Sequence, residues 1–345
     1  MISAKFSKKI FHFKNPSGTS RGILREKISW FIELTDGQNI GLGECSIIEG
    51  LSPDFEDEEK YELKITEVIE KINLGELNLE NAPNLLIQFP SILFGVETAL
   101  LDLHNGGKRI IFKNDFSSGK QVIPINGLIW MGSESFMLKQ IERLVSEGFT
   151  TLKMKVGAID FETEFQLLKQ IRTQFSSKQM TLRVDANGSF KPKNALHLLE
   201  RLAKLEIHSI EQPIAAGQIE AMRNLCENTP TPIALDEELI GIRSFEEKKA
   251  LLSTISPQYI ILKPSLHGGI SGCREWISIA ESLQIPWWMT SALESNIGLN
   301  SICQFTAEYK NDLPQGLGTG SLYVNNILGN LIVEKGVIRV MNHEV

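Results

Sequence analysis

Cysteine is scarce in this chain: four in 345 residues, at Cys45, Cys226, Cys273 and Cys303, with no CxxC pair. That spacing argues against a disulfide framework, so reduced thiols in a cytoplasmic protein are expected. Cys226, Cys273 and Cys303 fall in predicted helices and read as small buried apolar side chains. No stretch approaches the roughly 18 uninterrupted apolar residues of a membrane span. The basic start (Lys5, Lys8, Lys9) lacks the apolar run that a secretory signal needs. Nor is positive charge in excess. A net charge of −7 leaves no electrostatic footprint for nucleic acid. What remains is an ordinary globular composition, 42% hydrophobic and 22% charged, long enough for one large domain and a smaller one.

The first part, residues 1–113, reads as a mixed α+β region. Ile28 to Leu34 and Ile40 to Leu42 look like strands joined by the turn Asp36-Gly37. Pro16 to Ser20 and Glu49 to Pro53 read as loops. Helical patterns follow near Asp57 to Lys71 and Ile92 to Leu103. From Val122 onward, short apolar runs alternate with amphipathic helices. The runs begin at Val122, Thr151, Thr181, His208, Pro232, Tyr259 and Pro286, with a weak last one near Gln315. Helical patterns lie between them, such as Phe161 to Phe175, Pro192 to Lys204, Phe245 to Leu252 and Ser271 to Leu283. Eight units at roughly 25–30 residues each fit a TIM-type barrel over 114–320, with the eighth helix missing. A Rossmann sheet would also alternate, but no GxGxxG follows any strand. The segment 321–345 holds short strands (Leu331 to Val333, Val337 to Met341) expected to return to the N-terminal region.

Charged residues close five consecutive strands: Lys155, Asp185, Glu211, Asp236 and Lys263. Strand C-termini form the catalytic face of such a barrel, so the repeat places all five around one mouth. Singly, each would pass for a solvated loop charge. In succession, with signs ordered +, −, −, −, +, they call for a common purpose. Three converging carboxylates repel unless a cation joins them. An all-oxygen donor set favours Mg²⁺, with Mn²⁺ as a second candidate and Zn²⁺ disfavoured. Lys153 and Lys155 share one face of their strand. Lys155 and Lys263 would face a bound small-molecule carboxylate from opposite sides. Desolvation, the metal and Lys153 would all favour a neutral Lys155 able to act as base. The chemistry implied is removal of a proton α to a carboxylate, with the metal stabilising the charge that builds. Lys153 either tunes Lys155 or holds a carboxylate.

These residues resemble the enolase superfamily, in its muconate-lactonizing-enzyme subgroup. The matching motifs are Lys153-Met154-Lys155, Asp185-Ala186-Asn187, Glu211-Gln212-Pro213, Asp236-Glu237 and Lys263-Pro264. Within that subgroup the chain is most similar to the o-succinylbenzoate synthases of menaquinone biosynthesis, through Ile123 to Trp130, Thr290 to Gly298 and Gly316 to Gly320. The resemblance implies an α/β fold: a modified (β/α)7β TIM barrel with an α+β capping domain built from both termini. It implies that Asp185, Glu211 and Asp236 ligate Mg²⁺. Lys155 would take the α-proton of 2-succinyl-6-hydroxy-2,4-cyclohexadiene-1-carboxylate. Lys263 would sit over the ring and steady the enediolate through a cation–π contact.

Further candidates follow. Arg183 shares a face with Asp185, one layer deeper, and reads either as part of the substrate network or as a buried ion pair. Ser291 would bind the succinyl carboxylate or cap the next helix. Asn187 reads as a partner of the metal ligands or as a turn residue before Gly188. Glu294 reads as structural and His267 as a loop-surface histidine. Asn15 to Gly22 and Cys45 to Pro53 resemble the lid loops of the capping domain. The motif Gly41-Leu42-Gly43-Glu44 is present, but the proline that usually follows it closely is delayed to Pro53.

Two other functions fit the same residues. N-succinylamino acid racemisation, or another 1,1-proton transfer, suits two opposed lysines equally well. The Asp-x-Asp usual in dipeptide epimerases is replaced by Gly318-Thr319-Gly320-Ser321, which disfavours that branch. A non-catalytic metal-binding barrel would be expected to have lost a ligand or base, and none is lost. Neither a nucleic-acid nor a membrane partner is expected, and a homo-oligomer is left open.

Overall fold

A computed structural model describes residues 2–19, 22–130, 132–157 and 160–341. The N-terminal region opens with an antiparallel meander of β1 (Ser3–Thr19), β2 (Gly22–Thr35) and β3 (Ile40–Ser46). Alternation along β2 serves two layers. Trp30, Ile32 and Leu34 pack against α1 (Glu58–Asn73), α2 (Ala82–Leu85) and α3 (Pro90–His104), whereas Phe31 turns the other way to meet Phe11, Ile297 and Tyr323. The Asp36-Gly37 turn is held by Asp36 Oδ1, which accepts the amides of Gln38 (2.8 Å) and Asn39 (2.7 Å).

The loop expected over Pro16 to Ser20 is instead strand as far as Thr19; Ser20 lies outside the described residues. An irregularity between His12 and Ser17 absorbs the turn-forming residues, and pairing resumes at Ser17 with Leu24.

The Gly-x-Gly of the 41–44 motif is a packing requirement. A Cβ on Gly43 would lie 1.8 Å from the carbonyl oxygen of Gly95, and one on Gly41 would lie 2.2 Å from that of Ala99. Only glycine lets α3 lie this close on β3.

After β4 (Ile123–Pro124) the chain builds seven strand–helix units: β5 (Gly127–Ile129), α4 (Glu134–Ser146), β6 (Thr151–Lys155), α5 (Phe161–Gln174), β7 (Thr181–Asp185), α6 (Pro192–Ala203), β8 (Ser209–Glu211), α7 (Ile219–Asn228), β9 (Ile233–Leu235), α8 (Phe245–Ile255), β10 (Tyr259–Leu262), α9 (Gly269–Ser282), β11 (Trp287–Met289) and α10 (Asn296–Thr306). The seven strands form one parallel sheet in sequence order. The eighth position is taken by Gln315 and Gly316, which bridge in parallel to Ile125 and Thr290 and so close the ring. Outward residues such as Leu152, Met154, Leu182 and Val184 are buried beneath the helices, while Lys153, Lys155, Arg183 and Asp185 alternate inward.

The run expected as the first barrel strand is divided: Ile123 and Pro124 pair with Ile338 and Val337, and barrel pairing starts at Gly127. The tail divides too. Leu322 and Val324 hydrogen-bond to Lys14 and His12 of β1 at 2.8 and 2.9 Å. β12 (Leu331–Glu334) and β13 (Val337–Val340) join β4 and do not join the meander.

Two buried carboxylates dock the N-terminal region on the barrel, each at a helix N-terminus. Glu97 of α3 accepts the amides of Ile270 (2.6 Å) and Ser271 (3.0 Å) at α9. Glu44 accepts the Ser295 amide at 3.0 Å, the Ser295 hydroxyl at 2.5 Å and the Gly298 amide at 3.0 Å at α10. All four cysteines are buried and free. Among the described residues no helix is long and apolar enough to cross a membrane.

Candidate active site

A cavity of about 600 Å³ opens at the C-terminal ends of the barrel strands, with Lys153, Lys155, Asp185, Asn187, Glu211 and Lys263 on its wall. The N-terminal region closes over it with Leu24 and Ile48 to Leu51. The delayed proline therefore does not keep the second lid segment away from the mouth. Strand register explains the convergence: Lys155 pairs with Asp185, and Asp185 pairs with Glu211, so three charges stand at one level on adjacent strands.

The charges interlock. Lys153 Nζ lies 3.1 Å from Asp185 and also donates to Glu211. Lys155 Nζ donates to Asp185 at 2.9 Å and to Asn187 Oδ1 at 2.7 Å. Across the barrel, Lys263 Nζ donates to Asp236 and lies 3.6 Å from Glu211. Burial works against the Lys153 and Lys263 ammonium groups, but the carboxylates beside them outweigh it and hold both above the usual lysine value. Burial also opposes the charge on Asp185, yet Lys153 and Lys155 hold its carboxyl well below the usual range. Burial and the Asp185 charge push Glu211 up to about 7, and burial raises Asp236 as well.

Among the described residues no three acidic, histidine or cysteine side chains close on one coordination point. Ammonium groups neutralise the carboxylates here. The donor set still fits a hard divalent cation. Among the described residues Glu211 Oε1 and Asp236 Oδ1 are buried acceptors that receive no hydrogen bond; Lys263 stands 3.6 Å from Glu211 Oε1, and hard anionic oxygens with free acceptor capacity suit such a cation.

The remaining candidates are placed unevenly. Asn187 sits in the left-handed region (φ 43°) and links the two arcs of charge, because its Nδ2 donates to Glu237 Oε1 at 3.0 Å. Arg183 is buried one layer down. Its Nη1 donates to the Pro314 carbonyl at 2.6 Å and its guanidinium stacks 4.0 Å from the Trp288 ring centre, with no carboxylate among the described residues bonded to it. Ser291 lines the cavity, but its hydroxyl donates to Glu294 at 2.7 Å; the helix cap is Ser295, which accepts from Ile297. Glu294 also accepts from Ser265 at 2.6 Å and is fully buried, as a structural role requires.

His267 is a correction. It is buried, and its Nδ1 accepts the Lys263 amide at 2.8 Å, so it supports the strand end and does not lie on the loop surface. Burial holds its imidazole well below the usual histidine value. Gln212 emerges as a positioning residue that sequence reasoning left as motif filler. It is buried in a left-handed conformation (φ 39°), and its Oε1 accepts the Asp236 and Glu238 amides at 3.2 Å each. The strained backbone directly after Glu211 is paid for by fixing where Asp236 begins.

Comparison with known proteins bears on the family and the fold. Residues 137–343 match the family model described as enolase C-terminal domain-like. The chain is 46% identical to an o-succinylbenzoate synthase of Desulfotalea psychrophila over 95% of its own length and 96% of that protein. A crystal structure of MenC from the same organism superposes with a TM-score of 0.85 at 42% identity, covering 98% of this chain and 99% of that one. The chain is also 32% identical to an N-succinylamino acid racemase of Thermus thermophilus, over 47% of this chain and 41% of that one. The protein belongs to the enolase superfamily, in its muconate-lactonizing-enzyme and o-succinylbenzoate-synthase subgroup.

Proposed function

We propose that the protein is an o-succinylbenzoate synthase. It dehydrates 2-succinyl-6-hydroxy-2,4-cyclohexadiene-1-carboxylate to 2-succinylbenzoate and water, a step of menaquinone biosynthesis. The observation that carries this reading is the pair of lysines, Lys155 ending β6 and Lys263 just after β10, ion-paired to the strand-end carboxylates Asp185, Glu211 and Asp236 in a chain matching such a synthase over nearly its whole length. Asp185, Glu211 and Asp236 would hold a divalent cation, Mg²⁺ by the hardness of the donors, and this ion supplies positive charge where the substrate carboxylate gains electron density.

Lys155 removes the proton from the carbon bearing the carboxylate. The electron pair left behind forms the new ring double bond as the C–O bond to the 6-hydroxyl breaks. The Lys155 ammonium returns the proton to the departing oxygen, which leaves as water. Lys263 stays protonated and places its charge over the ring on the opposite side. Lys153 holds the Asp185 and Glu211 side chains in register, and Asn187 steadies the Lys155 amine. Aromatisation makes the overall step downhill, so the protein has chiefly to lower the barrier to proton removal.

The test is incubation of the purified protein with Mg²⁺ and the cyclohexadiene substrate while following absorbance of the aromatic product. Turnover is expected for the wild type and none for Lys155→Ala, whose circular dichroism stays native. A wild-type protein without turnover would sink the reading. Racemisation of N-succinylamino acids is the second reading, favoured by the same opposed lysines, and optical rotation of such substrates tests it.

A further inference from the structure

Three polar side chains on the cavity wall take no part in the chemistry above. Asn126 Oδ1, Thr290 Oγ1 and Thr319 Oγ1 are all buried, their residues all line the cavity, and none has a hydrogen-bond partner among the described residues. They lie together. Ile125 bridges to Gln315 and Thr290 to Gly316, so the start of β5, the end of β11 and the closing segment are neighbours. The charged residues occupy the rest of the ring, from β6 to β10. A molecule with its carboxylate among the lysines therefore projects its other end toward these three groups. Beneath them, Trp288 and Thr290 point inward from one strand, and Arg183 stacks on Trp288. The floor under this arc is thus positive, with Arg183 Nε and Nη2 also unpartnered among the described residues. Gly316 leaves the hydroxyl room: a Cβ there would lie 2.4 Å from Thr290 Oγ1.

Buried polar atoms without partners are few in folded proteins and costly to keep. Three on one arc of one cavity point to a ligand that satisfies them. We propose that Asn126, Thr290 and Thr319 form a neutral hydrogen-bonding subsite for the oxygen atoms of the succinyl arm, a specificity-determining role that rests on the succinyl substrate assigned above. The subsite reads the arm and is indifferent to which proton transfer follows.

The test compares the wild type with Thr290→Val, Thr319→Val and Thr290→Ser, measuring calorimetric binding of o-succinylbenzoate and of benzoate, together with Tm. Each valine keeps the side-chain shape and deletes one hydroxyl. Affinity for o-succinylbenzoate is expected to fall about tenfold or more per hydroxyl, while benzoate affinity holds and Tm does not drop. Thr290→Ser is expected to retain the wild-type affinity. Unchanged o-succinylbenzoate binding in both valine variants, equal losses for the two ligands, or no o-succinylbenzoate binding by the wild type would each overturn the subsite. Turnover reports separately on the dehydratase assignment. A wild type that binds o-succinylbenzoate selectively but never forms it would end that assignment and leave the subsite standing.

Discussion

Replacing Glu44 tests how the N-terminal region is held over the barrel. Its carboxylate is fully buried and accepts four hydrogen bonds: the Ser29 hydroxyl at 2.8 Å, the Ser295 amide and hydroxyl, and the Gly298 amide. Two of these donors are amides at the start of α10, where a negative charge also meets the helix dipole. Lys27 is buried beside it and donates to Ser29 and Ser46, so Glu44 supplies part of that lysine's countercharge. Glu44→Gln keeps the shape and one acceptor oxygen but turns an amide NH2 toward donors. Hydrogen bonds to a charged group contribute about 1.5–3 kcal/mol each, so losing one or two predicts about 3 kcal/mol of destabilisation. Glu44→Ala leaves all four donors unanswered and removes part of the Lys27 countercharge, and about 4–5 kcal/mol is expected. Urea unfolding followed by tryptophan fluorescence measures both. Ser291 to Leu293, which line the cavity, lie two residues ahead of this helix, so kcat/KM should fall as well in molecules that remain folded. A Glu44→Gln protein within 0.5 kcal/mol of wild type would refute the docking argument.

Other outcomes follow from single contacts. Gly43→Ala would force a Cβ to within 1.8 Å of the Gly95 carbonyl oxygen, a backbone atom that cannot swing aside, and should cost about 3 kcal/mol or abolish soluble expression. Asp185→Asn should weaken Mg²⁺ binding in calorimetry; unchanged affinity would argue against its place in the ligand set. His208 stacks on Tyr259 at 5.1 Å, and burial, helped by the Arg183 charge, holds its imidazole down to about 4. The fold keeps this ring neutral, whereas the unfolded chain takes up a proton near 6.5, so stability should decline as pH falls from about 6.5 to about 4. After allowance for its partial exposure the loss is about 2 kcal/mol. His208→Gln should flatten that part of the urea-midpoint profile relative to wild type.

Legibility in the sequence followed the locality of the signal. Thr151 to Lys155 and Thr181 to Asp185 are strands with the bounds their alternation implies, and α5 and α6 end within a residue of their amphipathic patterns. Each of these elements buries one face against its neighbours, so the period itself carries the information. The weak last run near Gln315 is no regular strand, yet its two bridges close the ring, as a modified barrel requires. Pro16 to Thr19 misled because proline and glycine signal turns, while pairing to β2, a non-local contact, made this stretch a strand. His267 misled for a related reason: it follows a catalytic-strand end among glycines, and only the packing of that turn buries it against the Lys263 amide.

The order of residues along the chain determined the repeat, the alternation that turns Lys153, Lys155, Arg183 and Asp185 inward, and the succession of charged strand ends. These depend on spacing alone, and spacing is written in sequence. Tertiary structure decided which charges pair, that Ser291 is engaged with Glu294, that Gln212 fixes Asp236, and that two carboxylates from the N-terminal region seat it on helix N-termini. Most of these pairings join residues far apart in the chain, and they gain strength only once folding has brought the partners together and burial has removed water as the competing partner.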